Sequence, residues 1–393
     1  MTTKIKSIST KFFLIFFTAM FFLSCENNPS DLGFTLLPSN DTVGVSYLDS
    51  QIDTMPISYN NYKQYINTSS SINMLVGNYQ NYQSTALIKF IGISPDYDSV
   101  DVLSAVLTLK SSGYYFEDQT GTTAFNLFKV NSNLNYSAIT FDSVNSSTFG
   151  TTSLGNFSGV VADTATLNIT MDNQTADDWL EYAADSNYIN KNYGIGLLPS
   201  AGSTTIKGFY SNINDGVIPY VTIIFTKNNV EDTITLITSQ YVSLSNVSSL
   251  VIPPDRFILQ NGIAYRNILN FDLSKLPGNV IINNATLLFT LDNANSYISA
   301  TTNKAIVIGA VTDSITKTDS LTDNSFLLDS IVYSANLNSI VQRWNTGALQ
   351  NLGITMKNIS EIQNLDNFVF YSPASSDSTK RPRLKITYTK INR

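Results

Sequence analysis

Thirty acidic residues, 21 tyrosines, a single cysteine and no histidine set the chemical repertoire of this 393-residue chain. Without an imidazole there is no Ser-His-Asp or Cys-His pair, no HExxH zinc motif and no side chain that titrates unaided near neutrality. Carboxylate, tyrosine, lysine and serine chemistry remain. The enzymatic reading they leave open is a histidine-free hydrolase working through two carboxylates, a spatial pair that spacing along one chain does not reveal. No catalytic residue is named.

Two binding chemistries have candidate residues. Tyr59, Tyr62, Tyr65, Tyr79 and Tyr82 alternate with Asn and Gln. Amphipathic rings beside amides suit stacking on sugar faces, although strands on a lightly charged surface also use tyrosine freely. Asp98/Asp101, Asp177/Asp178 and Asp319/Asp323 offer oxygens to a structural calcium ion, but none reproduces a loop of defined ligand order. Helix capping and solvation explain such pairs as well. No cofactor is expected beyond that ion, and no metal ligand is named. Trp179 and Trp344 could be stacking platforms, but apolar neighbours at helical spacing favour core plugs.

Cys25 follows a basic start (Lys4, Lys6, Lys11) and a largely apolar run from Phe12 to Leu23. At 12 residues the run is short for a membrane span and suits the h-region of a secretory signal peptide. Phe22-Leu23-Ser24-Cys25 resembles a bacterial lipobox, in which the cysteine thiol receives a diacylglyceryl group and the chain is cut before it. Several acyl chains, each contributing roughly 0.8 kcal/mol per buried CH2, would make such an anchor stable. The expected division is a signal peptide over 1–24 and a lipidated tether over 25–41. Losing three lysines takes the formal charge from −7 to −10, which disfavours nucleic acid because phosphate binding needs a basic face.

The elements that would position these residues occur twice. Pro219-Tyr-Val-Thr-Ile-Ile-Phe-Thr-Lys227 is echoed by Pro382-Arg-Leu-Lys-Ile-Thr-Tyr-Thr-Lys390. Each is a period-2 strand opened by proline, with inward sets Val221/Ile223/Phe225 and Leu384/Ile386/Tyr388. Upstream, Phe209-Tyr-Ser211, Gly194-Ile195, Trp179, Ala105–Leu109 and Leu87–Phe90 recur in order as Phe370-Tyr-Ser372, Gly353-Ile354, Trp344, Ala285–Phe289 and Ile268–Phe271. A tandem duplication follows, with a boundary in the polar stretch Lys227–Thr233. Short alternating runs between Asn, Asp, Gly, Ser and Pro predict an all-β fold of two tandem jelly-roll-like β-sandwiches, over 42–227 and 233–393. Each carries one short helix at its tryptophan: Thr175 is the expected cap of the first, and Leu337, Ile340, Val341 and Trp344 share a face of the second. Phe90 and Phe271, together with Trp179 and Trp344, are the expected core landmarks.

Phe271-Asp-Leu-Ser-Lys-Leu-Pro277, Ala285–Phe289, Ile340-Val-Gln-Arg-Trp344, Asn351-Leu-Gly-Ile354 and Arg381–Tyr388 resemble the DNRLRE-type jelly-roll domain, a carbohydrate-binding-module-like sandwich of bacterial surface proteins. The first copy departs from it, with Phe90-Ile-Gly-Ile-Ser in place of the FDLS core. Over nearly the whole mature chain, the lipobox followed by Asp31-Leu-Gly-Phe-Thr-Leu-Leu-Pro-Ser-Asn40 resembles a Bacteroidota lipoprotein family known only as domain of unknown function 4270. That resemblance implies a fold and a location but no activity and no catalytic residues.

The expectation is therefore a non-enzymatic lipoprotein of the outer membrane, held by lipid at Cys25, with the cell surface favoured over the periplasmic face. It would act as an accessory subunit docked on an outer-membrane protein in an assembly, secretion or uptake machine. A glycan-binding or adhesion module with a polysaccharide ligand is the first alternative, and the histidine-free hydrolase the second.

Overall fold

The computed structural model describes residues 44–211 and 218–390, so the expected signal peptide over 1–24, Cys25 and the expected tether over 25–41 lie outside the described residues. Two strands come first, β1 (Val45–Asp49) and β2 (Ile57–Lys63). One set of elements then runs β3 (Asn73–Tyr79), β4 (Tyr82–Ile91), β5 (Asp101–Phe116), β6 (Thr122–Val130), β7 (Phe149–Val160), β8 (Thr166–Met171), α1 (Asn173–Ala184), β9 (Ile195–Pro199), β10 (Ile206–Tyr210), β11 (Tyr220–Lys227) and β12 (Val230–Val247). A second set runs β13 (Arg256–Gln260), β14 (Tyr265–Phe271), β15 (Val280–Thr290), β16 (Ile306–Val311), β17 (Asp319–Leu327), β18 (Val332–Asn336), α2 (Asn338–Asn345), β19 (Ile354–Asn358), β20 (Asn367–Tyr371) and β21 (Arg383–Lys390). The fold is all-β, as the alternating runs require.

The strands form two antiparallel sheets, each curled over its own apolar core as a sandwich. Val221, Ile223 and Phe225 point into one core and Leu384, Ile386 and Tyr388 into the other, as their period-2 spacing demands.

The duplication is visible in local chemistry as well as strand order. Asn192 donates its amide to the Phe90 carbonyl (3.3 Å) and accepts from the Gly194 N–H (3.2 Å). Asn351 does the same with Phe271 (2.8 Å) and Gly353 (3.3 Å). Both glycines have positive φ, +100° and +90°, and a Cβ on either would lie 2.3 or 2.5 Å from the carbonyl oxygen of Ile88 or Leu269. Only glycine fits such an approach. Trp179 packs on Phe90 (5.6 Å between ring centroids) and Trp344 on Phe271 (6.1 Å), so both tryptophans are core plugs under their helices.

Strand pairing crosses the boundary expected from the repeat. The stretch Lys227–Thr233 is a tight hairpin in which Asn228 and Asn229 take left-handed φ values of 54° and 61°. Asparagine tolerates that conformation, and two such residues make the turn that matches strand twist. Consequently β12 folds back on β11 with its first half and pairs with β4 through its second. The corresponding places in the other sheet are filled by β1, which pairs with β21, and β2, which pairs with β14. One sandwich is thus continuous over 73–247, whereas the other joins 256–390 to the strap 45–63. Each repeat lends its leading strands to the other.

The helices also refine expectation. The cap of α1 is Asp172, whose carboxylate accepts from both the N–H (3.0 Å) and hydroxyl (2.9 Å) of Thr175. A carboxylate one turn earlier satisfies more orphan donors than the threonine alone would. In α2, Leu337, Ile340, Val341 and Trp344 are all buried, as their spacing requires.

Candidate functional site

The tyrosines picked from sequence flank the junction of the two sandwiches. Phe116, at the end of β5, is ringed edge-on by Tyr82 (4.9 Å), Tyr297 (5.2 Å) and Tyr79 (5.8 Å). Tyr297, from the second sandwich, donates its hydroxyl to the Tyr115 carbonyl at 2.7 Å, and Tyr82 donates to Gln260 at 3.0 Å. Leu75, Ile206, Val247, Ile263 and Leu365 complete a core shared by both sandwiches. Burial pushes the Tyr82 phenol up to about 12.

The other three tyrosines hold the strap. Tyr59 packs against Phe257 (6.4 Å) and donates to the Pro254 carbonyl. Tyr65 lies under the Lys63 ammonium (4.3 Å) and donates to Asn246 at 3.0 Å. The Tyr62 phenol is raised by burial, which outweighs the lowering effect of the neighbouring Arg266. All five rings are half-buried and committed to packing, so the structure does not gather them into one open sugar platform.

Sequence reasoning missed the polar centre of the junction. Asp366 is fully buried and accepts from the Ser299 N–H (2.7 Å), the hydroxyls of Ser299 (2.8 Å) and Thr302 (2.5 Å), and Tyr114 (3.1 Å). The Tyr114 oxygen in turn accepts from the Leu365 N–H at 2.9 Å. Burial raises the Asp366 carboxyl above the ordinary range despite these donors. Its surroundings, Asn364-Leu-Asp-Asn367, read as a turn, so only the distant partner Tyr114 reveals the role.

The acid pairs serve other partners. Asp98 pairs with Lys227 at 2.9 Å, Asp178 accepts from Tyr188 (3.1 Å) and Asn190 (3.0 Å), and Asp319 accepts from Thr355 at 2.6 Å. Asp323 lies on the exposed side of β17. Asp101 faces Asp177 across a shallow cleft of about 230 Å³, and burial followed by repulsion from Glu181 raises the Asp177 carboxyl. Among the described residues no three acidic, cysteine or histidine side chains converge.

No family model, curated protein or solved structure matches the chain. The surfaces must speak for themselves. Phe326 and Leu328 are 67% and 68% exposed, with half-exposed Leu327 between them, at the end of β17 where the second sheet turns from one face to the other. Strand β1 forms a sheet edge and exposes Val45 and Tyr47. A cleft of about 320 Å³ lies beside the linker residues Leu250–Pro253, where the Arg256 guanidinium is neutralised by Asp292 (2.7 Å) and Asp255 (2.5 Å) and covers the Tyr371 ring. Among the described residues no helix is long and apolar enough to cross a membrane.

Proposed function

We propose that this chain is a lipid-anchored accessory subunit of an outer-membrane complex, docked on a β-barrel partner and acting through binding rather than catalysis. The observation that carries the docking half is the run Phe326-Leu327-Leu328, because consecutive large apolar side chains on a soluble surface mark an interaction site. The anchoring half rests on the flank of Cys25, and membership of the Bacteroidota lipoprotein family rests on that flank together with Asp31–Asn40. The edge of β1 supports the same reading, since unpaired backbone groups beside the tether can extend a partner's sheet.

Two substitutions separate the halves. Cys25→Ala is expected to release a folded protein from membranes. Phe326→Asp with Leu328→Asp is expected to leave the protein membrane-bound while its companions are lost. Full retention of the Cys25→Ala protein after a salt wash would remove the anchor, and unchanged co-purification of the doubly substituted protein would remove the docking surface.

A further inference from the structure

The linker between the two sandwiches is apolar where a spacer is ordinarily polar. Ser248-Ser-Leu-Val-Ile-Pro-Pro-Asp255 joins β12 to β13 with Leu250, Val251 and Ile252 in succession, and Val251 is 86% exposed. Each end of it is pinned. The Ser248 N–H donates to the Asn81 carbonyl at 3.0 Å, and the Pro254 carbonyl accepts from the Ser372 hydroxyl at 2.9 Å. Proline follows both Ile252 and Pro253, which pushes those two residues toward extended backbone. Between the pins, the N–H and C=O groups of Leu250, Val251 and Ile252 have no hydrogen-bond partner among the described residues.

Beside this stretch lies the cleft of about 320 Å³. Ile258 and Val369 form its floor, paired across β13 and β20. Phe257, Leu259, Phe368 and Phe370 point from the same two strands into the core of the second sandwich, so Ile258 and Val369 face the other way and belong to no core. Two amides on the wall keep groups free among the described residues. Asn367 accepts the Tyr297 N–H through Oδ1 (2.8 Å) and retains its own N–H donors, while Asn295 donates to Asp292 (2.8 Å) and retains its carbonyl oxygen. Arg256 is neutralised by Asp255 and Asp292, so the wall offers a ligand no unpaired charge. The cleft thus combines aliphatic walls, an amide donor, an amide acceptor and a run of unpaired backbone.

We infer that this cleft takes a short, uncharged segment of another polypeptide, laid in extended form along Leu250–Ile252, with one aliphatic side chain seated on Ile258 and Val369. Main-chain groups hold an added strand, and a side-chain pocket selects it. A bare alkyl chain would fill the walls and leave the linker backbone without partners, and a charged side chain would be desolvated without a counterion. The volume, at the small end of ligand pockets, suits one side chain with its flanking peptide units. The site is built from strands other than β17, which carries Phe326 and Leu327, and so adds a second polypeptide contact to the one proposed above.

The test is isothermal titration of the full chain, in detergent-free buffer, with the capped peptide acetyl-Ser-Thr-Leu-Thr-Ser-amide. Saturable binding is expected. The same peptide with alanine at its centre should bind about tenfold more weakly or worse, the loss of one buried leucine side chain. Methylation of the two amide nitrogens flanking the leucine should cost about threefold or more, because the linker carbonyls then lose their donors. Val369→Phe, which fills the cleft from its floor, should abolish binding. Val251→Asp, at a position too exposed to matter for folding, should weaken binding about tenfold even if Val369→Phe unfolds, with thermal unfolding monitored for both. Phe326→Asp should leave binding unchanged, which separates this site from the docking surface. No saturable binding, equal binding of the alanine peptide, or indifference to both Val251→Asp and N-methylation would overturn the proposal.

Discussion

Arg383 grips Asp49: its Nε lies 2.9 and 2.8 Å from the two carboxylate oxygens and its Nη2 contacts Oδ2 as well. The pair joins the first described strand to the last. Asp49 is fully buried, accepts the Gln51 N–H (3.1 Å) and the Tyr47 hydroxyl (2.9 Å), and turns the chain from β1 toward β2. Burial alone would raise its carboxyl, but the hydrogen bonds from Arg383, Gln51 and Tyr47 hold it below its ordinary value. Asp49→Ala is expected to cost about 2–3 kcal/mol in urea unfolding, less than a wholly buried pair because Arg383 is partly exposed. Because the folded-state value is depressed, this stabilisation is present above the unfolded carboxylate value and fades as pH falls through the folded one. Asp49→Asn should flatten that acid limb, and an unchanged limb would show that the pair does not hold the strap.

Residues 256–390 expressed alone are expected to be loosely folded and prone to aggregate, because two unpaired edges beside β14 and β21 are then exposed. A peptide spanning 44–66 supplied in trans should bind and restore cooperative unfolding. The fragment 73–247, whose strands pair among themselves, should fold without help. A cooperative transition for 256–390 without the peptide would count against the exchange of leading strands.

Gly194→Ala and Gly353→Ala should each destabilise the protein by about 2–4 kcal/mol, since each Cβ meets a carbonyl oxygen at an excluded distance and a left-handed φ. Equal effects at the two sites, read by chemical denaturation, would confirm that the clasps are equivalent.

The buried carboxyl at the junction titrates in the opposite sense to Asp49. Its folded value is raised, so the folded state holds its proton longer and stability declines as pH rises from the unfolded value through the folded one. Asp366→Asn should remove that decline. Tyr114→Phe should cost about 1–3 kcal/mol by leaving the Leu365 N–H and one carboxylate oxygen without their partner. A pH profile unaltered in Asp366→Asn would assign the slope to another group.

Much of the core was legible because burial writes itself into periodicity. Leu337, Ile340, Val341 and Trp344, or Leu384, Ile386 and Tyr388, have only one arrangement that hides them all. The strap was not legible, because Val45–Asp49 alternates as any edge strand does and nothing local says that its partner is Thr389. Tyr79 and Tyr82 have the composition of a sugar platform, and their packing on Phe116, with the bond from Tyr82 to the distant Gln260, is visible only in the fold.

The central claim, a membrane-anchored binding subunit, is tested most directly by mild-detergent affinity purification of the lipidated protein from native outer membranes. Every companion present in stoichiometric amount would be identified by mass spectrometry. The account predicts a β-barrel protein at near one-to-one, lost when Phe326 and Leu328 become aspartate. Recovery of the chain alone, or its absence from the membrane fraction, would contradict it.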